Sequence, residues 1–336
     1  MHEESVRLER FMDGAEIDAD YRVISDLRPK TFADYPGQLS AKENLKVYVG
    51  SAKMRHKTLD HILLHGPPGL GKTTLAHIIA NEMGANFHAT SAPAIERPGD
   101  LAGILTGLQP GSILFIDEVH RLSIQLEELM YSAMEDFAMD ILVGQGPSAR
   151  TMRVPVSPFT LIGATTRVSL LSRPFQSRFG IQERLEFYDL SALKEIVARS
   201  AEILEIRISK EALDLMALSS RGTPRIANRI LRRVWDFALV ANLDEINEKI
   251  AREALARLDI DTNGLDRTDR VILRTILDRY DGGPVGVEAI AVSMAEDRST
   301  VEEVYEPYLV FQGYLSRGPR GRSITEAGKL ALLELS

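Results

Sequence analysis

Residues 66–73 read Gly-Pro-Pro-Gly-Leu-Gly-Lys-Thr, a complete G-x-x-x-x-G-K-[ST] spacing. Chemistry at that spacing is anion binding. Glycines such as Gly69 and Gly71 let consecutive backbone N–H groups turn inward, and a following helix adds the positive end of its dipole. Lys72 can then reach the β- and γ-phosphates of a nucleoside triphosphate, and Thr73 can offer a hydroxyl to Mg²⁺. A second cluster lies downstream, where Ser112-Ile113-Leu114-Phe115-Ile116-Asp117-Glu118 is an apolar run ending in two carboxylates. Phosphoryl transfer needs an acidic ligand for the metal and a group that positions the attacking water. Asp117 suits the first role and Glu118 the second.

Three further residues carry chemistry with different force. Thr166, just after the run 159–164, can sense the γ-phosphate or the water, although a threonine at a strand end also serves structure. Arg178, in Ser177-Arg178-Phe179-Gly180, has the planar fork suited to a transferring phosphoryl group; a solvated surface arginine fits the same spacing. Arg225 is better marked. Gly222 ends one helix, Thr223 caps the next and Pro224 takes its first position, which puts Arg225 in a first turn. The helix dipole disfavours a cation there by roughly 0.3–1 kcal/mol, so a nearby anion is expected.

These groups need a scaffold. Apolar runs at 61–65, 86–90, 112–116 and 159–164 alternate with helical patterns, which predicts a parallel sheet with helices on both faces. The expected organisation is a flexible tail at 1–26, a large α/β P-loop domain at 27–188, an all-α lid at 189–259 and a winged-helix head at 260–336. A β-hairpin is expected at 141–154 around the turn-rich 144–148. Ser191, Ser209 and Thr223 are the expected N-caps in the lid, which carries no strand signal. In the head, helices are expected at 266–280, 286–295 and 299–312, with Pro307 kinking or ending the third.

Composition narrows the function classes. With 336 residues, 44% of them hydrophobic and 26% charged, the chain can bury several cores. The absence of cysteine excludes disulfides, thiolate metal sites and a cysteine nucleophile, and fits a reducing, cytoplasmic setting. No secretion signal or membrane span is expected. A net charge of −8 argues against general attraction to nucleic acid, so any DNA contact must be local. Arg317-Gly318-Pro319-Arg320-Gly321-Arg322 offers one at the tip of the wing, with no acidic residue between Glu306 and Glu326. Arg298, ahead of a capping-box spacing at Ser299 and Glu302, can add a contact to the phosphate backbone.

Taken together, Leu27-Arg28-Pro29, the stretches 66–74, 113–120, 163–167, 177–180 and 222–225, and the arginine-rich wing resemble the RuvB family of AAA+ motors, which drive Holliday-junction branch migration. The P-loop by itself marks only a P-loop NTPase; the Gly-Thr-Pro-Arg segment and the wing, in this order, are far more specific. The tail shows no match. The resemblance implies ATP and Mg²⁺, with Lys72, Thr73 and Thr74 on the phosphates and metal, and Leu27, Arg28 and Tyr188 near the adenosine. It implies Glu135, Asp136 and Phe137 near the nucleotide, Thr166 as sensor 1, Arg178 as a finger acting in a neighbour's site and Arg225 as sensor 2. It further implies a homo-hexameric ring on duplex arms, DNA contacts at Arg298, Arg317 and Arg322, docking of hairpin 141–154 on RuvA, and RuvC resolvase as a further partner. A core-packed hairpin is the competing reading of 141–154.

Rival functions make different demands. A protein-remodelling ATPase needs aromatic pore loops, and no aromatic-hydrophobic-glycine motif stands in a suitable loop. A nucleotide-switched transcription regulator with a winged-helix head needs binding to particular sequences. A clamp loader leaves the arginine-rich wing without a role.

Overall fold

The computed structural model describes residues 27–143, 150–261 and 263–333, so the expected tail lies outside the described residues. Among the described residues, the first domain has the strands β1 (Ile62–His65), β2 (Phe87–Ser91), β3 (Ile113–Asp117), β4 (Ala138–Val143), β5 (Arg150–Pro155), β6 (Thr160–Thr165) and β7 (Ile181–Arg184). Five form one parallel sheet in the order β2-β3-β6-β1-β7. β1, β3 and β6 are short apolar runs buried on both faces, as a parallel sheet between helices requires. Because side chains alternate across a strand, Ile62 and Leu64 join one core and Leu63 the other. The first core includes α1 (Leu39–Met54) and α2 (Lys72–Met83); the second includes α3 (Pro98–Thr106) and α4 (Ile124–Glu135).

β6 lies between β1 and β3, which brings three strand ends together. His65 pairs in register with Thr165, and Gly66 donates its N–H to the Thr165 carbonyl. The P-loop, Asp117 and the 165–167 segment therefore share one edge of the sheet, the place where open α/β sheets hold ligands. The hairpin is longer than expected. β4 and β5 pair from Ala138↔Pro155 to Val143↔Arg150, and the expected turn at 144–148 lies outside the described residues.

After the short α5 (Arg173–Ser177), the lid comprises α6 (Leu190–Ile203), α7 (Lys210–Leu218), α8 (Pro224–Val240) and α9 (Glu248–Arg257). A two-residue parallel pair, β8 (Arg207–Ile208) with β9 (Glu245–Ile246), ties its loops together where no strand was expected. The expected caps need correction. Asp189, not Ser191, caps α6 by accepting the Ala192 N–H at 2.7 Å, which leaves Ser191 inside the first turn. Ser209 does cap α7. Thr223 stands at the cap position of α8, but its hydroxyl donates to the Ser220 carbonyl instead.

The head contains α10 (Arg267–Arg279), α11 (Val287–Met294), α12 (Arg298–Thr300), a π-turn (Val301–Tyr305), α13 (Glu306–Phe311), the ribbon β10 (Leu315–Gly318) and β11 (Gly321–Ile324), and α14 (Glu326–Leu333). Pro307, expected to kink or end the third helix, does not end it: regular α-helix gives way to a wider π-turn just before it, which places Pro307 in the first turn of α13. The capping box expected at Ser299 and Glu302 does not form. Asp297 holds the cap position, and Glu302 turns to Arg298 and Arg322. Among the described residues, no helix is long and apolar enough to cross a membrane.

Candidate nucleotide site and its coupling to the head

The P-loop wraps the start of α2, whose first residue is Lys72. Gly69 and Gly71 have φ of +80° and +94°, and a Cβ on Gly71 would stand 3.1 Å from the Tyr35 hydroxyl. Those positions need glycine on both counts. Lys72 is buried, and its ammonium donates to the Gly66 and Pro67 carbonyls at 2.8 and 2.9 Å. Burial pushes this ammonium down to about 8; Glu118 and Asp117 oppose the shift, and Arg225 adds to it. A triphosphate would favour the charged form, so ATP binding above pH 8 must take up a proton. ATP affinity is therefore expected to fall about tenfold between pH 7 and pH 9. Calorimetry in buffers of different ionisation heat measures both effects, and a flat affinity with no proton uptake would refute the assignment of Lys72.

The lid closes over this loop. A Cβ on Gly69 would lie 3.4 Å from the Arg225 Cβ, so the first turn of α8 packs on the P-loop and carries Arg225 to it. Tyr188 donates its hydroxyl hydrogen to the Leu70 carbonyl at 3.1 Å, which leaves its oxygen to accept from the Tyr35 hydroxyl at 2.9 Å. Arg199 of α6 donates to the Leu27 carbonyl at 2.7 Å, and Arg28 lies close enough to His77 of α2 to help lower its pKa after burial. Tyr188 thus lies on the loop, Leu27 against the lid and Arg28 near α2.

Asp117 ends β3 and accepts the Glu118 N–H at 2.9 Å. Glu118 adopts a left-handed φ of +50°, costly for a residue with a side chain and frequent at functional sites. Its Oε2 lies 3.2 Å from His120 Nδ1, which also stands 2.9 Å from the Thr165 hydroxyl. With a proton on Nδ1 the ring can donate to either oxygen, and without one it accepts from the Thr165 hydroxyl. Burial lowers the His120 pKa, against the charges of Glu118 and Glu303, which keeps the ring neutral. His120 lies within the 113–120 stretch, yet nothing in the sequence marks it as the partner of Glu118. A hydroxyl at Thr73 and a carboxylate at Asp117 are hard oxygen donors of the kind Mg²⁺ favours.

The remaining predicted residues sit elsewhere. Arg178 donates to the Pro174 carbonyl at 2.9 Å, pairs with Glu135 at 3.1 Å and lies over the Tyr131 ring at 4.6 Å. Asp136 pairs with Arg153, and Phe137 packs edge-on against Phe159. Arg178 and Glu135 therefore share a face built from α4 and α5, whereas Lys72 and Arg225 share the P-loop.

The wing corrects a sequence expectation. Arg317 and Arg322 face each other across the ribbon, but the Arg322 side chain is only 10% exposed, held by Glu302 at 3.1 Å and Glu306 at 2.9 Å. Arg317 reaches Glu306 at 3.3 Å, and Arg298 reaches Glu288 and Glu302. Arg320 alone of the four stands exposed on the turn without a partner among the described residues. Counting charges along the chain missed the carboxylates of the preceding helix, which fold against the ribbon.

One unpredicted residue joins lid to head. Arg221, three residues after α7, donates to Asp266 at 2.6 Å and to the buried Asp269 at 2.8 Å, and lies 4.7 Å from the Tyr308 ring centre. Asp266 and Asp269 form the capping box of α10. The segment from Arg221 to Arg225 therefore connects the head to the P-loop directly.

A parallel P-loop sheet, a helical lid with an arginine on the phosphate loop and a winged-helix head define an AAA+ ATPase. Family models match the chain from end to end of its described parts: the Holliday junction DNA helicase RuvB P-loop domain over 27–185, the RuvB AAA lid domain over 188–261 and the RuvB C-terminal winged helix domain over 262–333. The chain belongs to the RuvB family. It is 53% identical over 326 residues to the Holliday junction branch migration complex subunit RuvB of Bdellovibrio bacteriovorus, covering 97% of this chain and 99% of that one. The corresponding subunit of Myxococcus xanthus is 56% identical over 306 residues, 91% of this chain and 89% of that one. The solved Thermotoga maritima RuvB Holliday junction branch migration motor matches with a TM-score of 0.84 at 49% identity, covering 92% of this chain and 98% of that one.

Proposed function

We propose that this chain is the ATP-driven motor of Holliday-junction branch migration, moving duplex arms through the junction. The working parts are the ATPase domain at 27–188, the lid at 189–259 and the head at 260–336. ATP lies on the P-loop, with Lys72, Thr73 and Thr74 on its phosphates and Leu27, Arg28 and Tyr188 beside the adenosine. Mg²⁺, held by Thr73 and Asp117, neutralises phosphate charge when bound. Glu118 orients and deprotonates the attacking water, Thr166 senses the γ-phosphate, and Arg225 reports its loss to the lid. Arg178 completes the site of a neighbouring subunit in a homo-hexameric ring, with Glu135, Asp136 and Phe137 on the same face.

The observation that carries this reading is the Arg221–Arg225 segment. One end touches the phosphate loop and the other is ion-paired into the head. Loss of the γ-phosphate frees Arg225, the lid turns, and the head turns with it. Arg298, Arg317 and Arg320 then bear on the sugar–phosphate backbone; Arg322 joins them once its pairing with Glu302 and Glu306 opens. Such contacts do not read bases, so translocation is independent of sequence. Hairpin 141–154 docks on RuvA, RuvC resolvase is a further partner, and the setting is the cytoplasm.

The test is dissociation of a synthetic four-way junction by the full chain with ATP and Mg²⁺, with and without RuvA. ATP-dependent conversion to duplex products is expected, and RuvA should increase it. ATP consumption with no junction movement, even with RuvA present, would overturn the motor reading.

A further inference from the structure

The head reaches the catalytic edge of the sheet at Glu303 in the π-turn. Its carboxylate forms an ion pair with Arg167, and its Oε2 lies 3.2 Å from the Thr166 hydroxyl. That hydroxyl is also 3.5 Å from Glu118 Oε2. A threonine hydroxyl has one hydrogen to donate, and a carboxylate can only accept. The shorter contact takes it, so Thr166 donates to Glu303, and the Glu118 carboxylate stands 3.2 Å from His120 Nδ1. Arg167 and Glu303 are 31% and 28% exposed, enough desolvation to make the pair stronger than an open surface contact.

The same turn faces the other way through its neighbour. Glu302 accepts from Arg322 at 3.1 Å and from Arg298 at 3.4 Å, and Glu306 in the next turn holds Arg322 and Arg317. Consecutive carboxylates thus hold the sensor segment of the ATPase domain and the guanidiniums of the wing. A π-turn at that point is a departure from regular helix of the kind found at functional sites. Phosphates that draw the wing arginines away from Glu302 and Glu306 remove the pairing that sets this turn. A swing of the head about the Arg221 joint would break the Glu303 contact outright.

We propose that Glu303 is a positioning residue for ATP hydrolysis, a latch by which the head withholds Thr166 from the γ-phosphate and water until the head is displaced. The latch builds on the motor reading above, since DNA on the wing is what displaces the head. In the described conformation the hydroxyl required at the phosphate is committed to a carboxylate of another domain. Releasing the latch returns that hydroxyl to the catalytic edge, so it governs the rate of the chemical step more than the binding of nucleotide.

The test compares full-length wild type with Glu303→Ala, which removes the acceptor held against Thr166, and with Glu303→Gln, whose amide oxygen can still accept from the Thr166 hydroxyl. Steady-state ATP turnover is measured over a range of protein concentration, with and without random-sequence duplex DNA. Without DNA, kcat of Glu303→Ala should rise at least about fivefold, the lower end for coupled sites, with KM within about twofold. Glu303→Gln should stay near the wild-type basal rate. An unchanged or lower DNA-free kcat in Glu303→Ala overturns the latch, as does a rise of equal size in Glu303→Gln. The wild-type arms test the motor reading separately: absence of DNA stimulation there counts against that reading, whereas the latch is judged on the DNA-free rates.

Discussion

Replacing Arg178 with alanine is expected to lower ATP turnover by roughly 10³–10⁵, the range for arginine fingers, with little change in ATP affinity. The reason lies in where the side chain is held. Arg178 is at the C-terminal end of α5, fixed by the Pro174 carbonyl, the Tyr131 ring and Glu135. Its Nε is buried without a hydrogen-bond acceptor. Lys72 and Arg225 meet at the P-loop, whereas Arg178 shares its face with Glu135. Glu135 is 58% exposed, and a pair so open contributes little and parts readily for a better anion. If the finger acts between subunits, a site needs Arg178 from one copy and Glu118 from the next. Mixing Arg178→Ala with Glu118→Gln subunits should then restore turnover, with a maximum at an intermediate ratio, because some boundaries pair the intact half of each. Turnover in mixed assemblies that merely follows the sum of the two inactive proteins would exclude action in trans.

Legibility in the sequence followed a physical divide. The P-loop could be read because each position has a local requirement: φ above zero at Gly69 and Gly71, and a short reach from Lys72 to the loop. Asp117 and Glu118 could be read because they end a strand whose apolar run is buried on both faces. Arg225 could be read because glycine, a capping position and proline fix a helix start, and the structure brings that start to Gly69. β7 escaped because Ile181 and Glu183 point inward while Gln182 and Arg184 are exposed, leaving only one apolar residue to signal the strand. Asp189 escaped as a cap because Ser191, two residues on, offered the same chemistry. The greater loss was in contacts between elements. Glu302 and Glu306 neutralise Arg322 from across the head, His120 braces Glu118 from an adjacent 3₁₀ turn, and Arg221 and Glu303 tie the head to the lid and the catalytic edge. Such pairings depend on how helices pack, and charge order along the chain does not encode them.

Glu118→Gln is expected to lower kcat by roughly 10²–10⁴, the usual contribution of a positioned general base, and to keep ATP binding close to wild type. The backbone of Glu118 is held in a left-handed conformation that costs ~1–3 kcal/mol, and its surroundings sustain that cost. The N–H is bound to Asp117, His120 presents Nδ1 at 3.2 Å, and Thr166 stands at 3.5 Å. A glutamine oxygen can still accept from His120, so the fold of the loop should survive, but the amide cannot take a proton from water. Lys72→Ala should divide its effect the other way. It removes the cation that meets the β- and γ-phosphates, so nucleotide binding should weaken along with turnover. The two variants thus separate capture of the triphosphate from its cleavage, with nucleotide affinity as the discriminating measurement. If Glu118→Gln hydrolysed ATP within a few-fold of wild type, the water would have to be activated by another group. A loss of binding in that variant equal to that in Lys72→Ala would instead place Glu118 in the phosphate cradle and leave the chemical step without the base assigned to it.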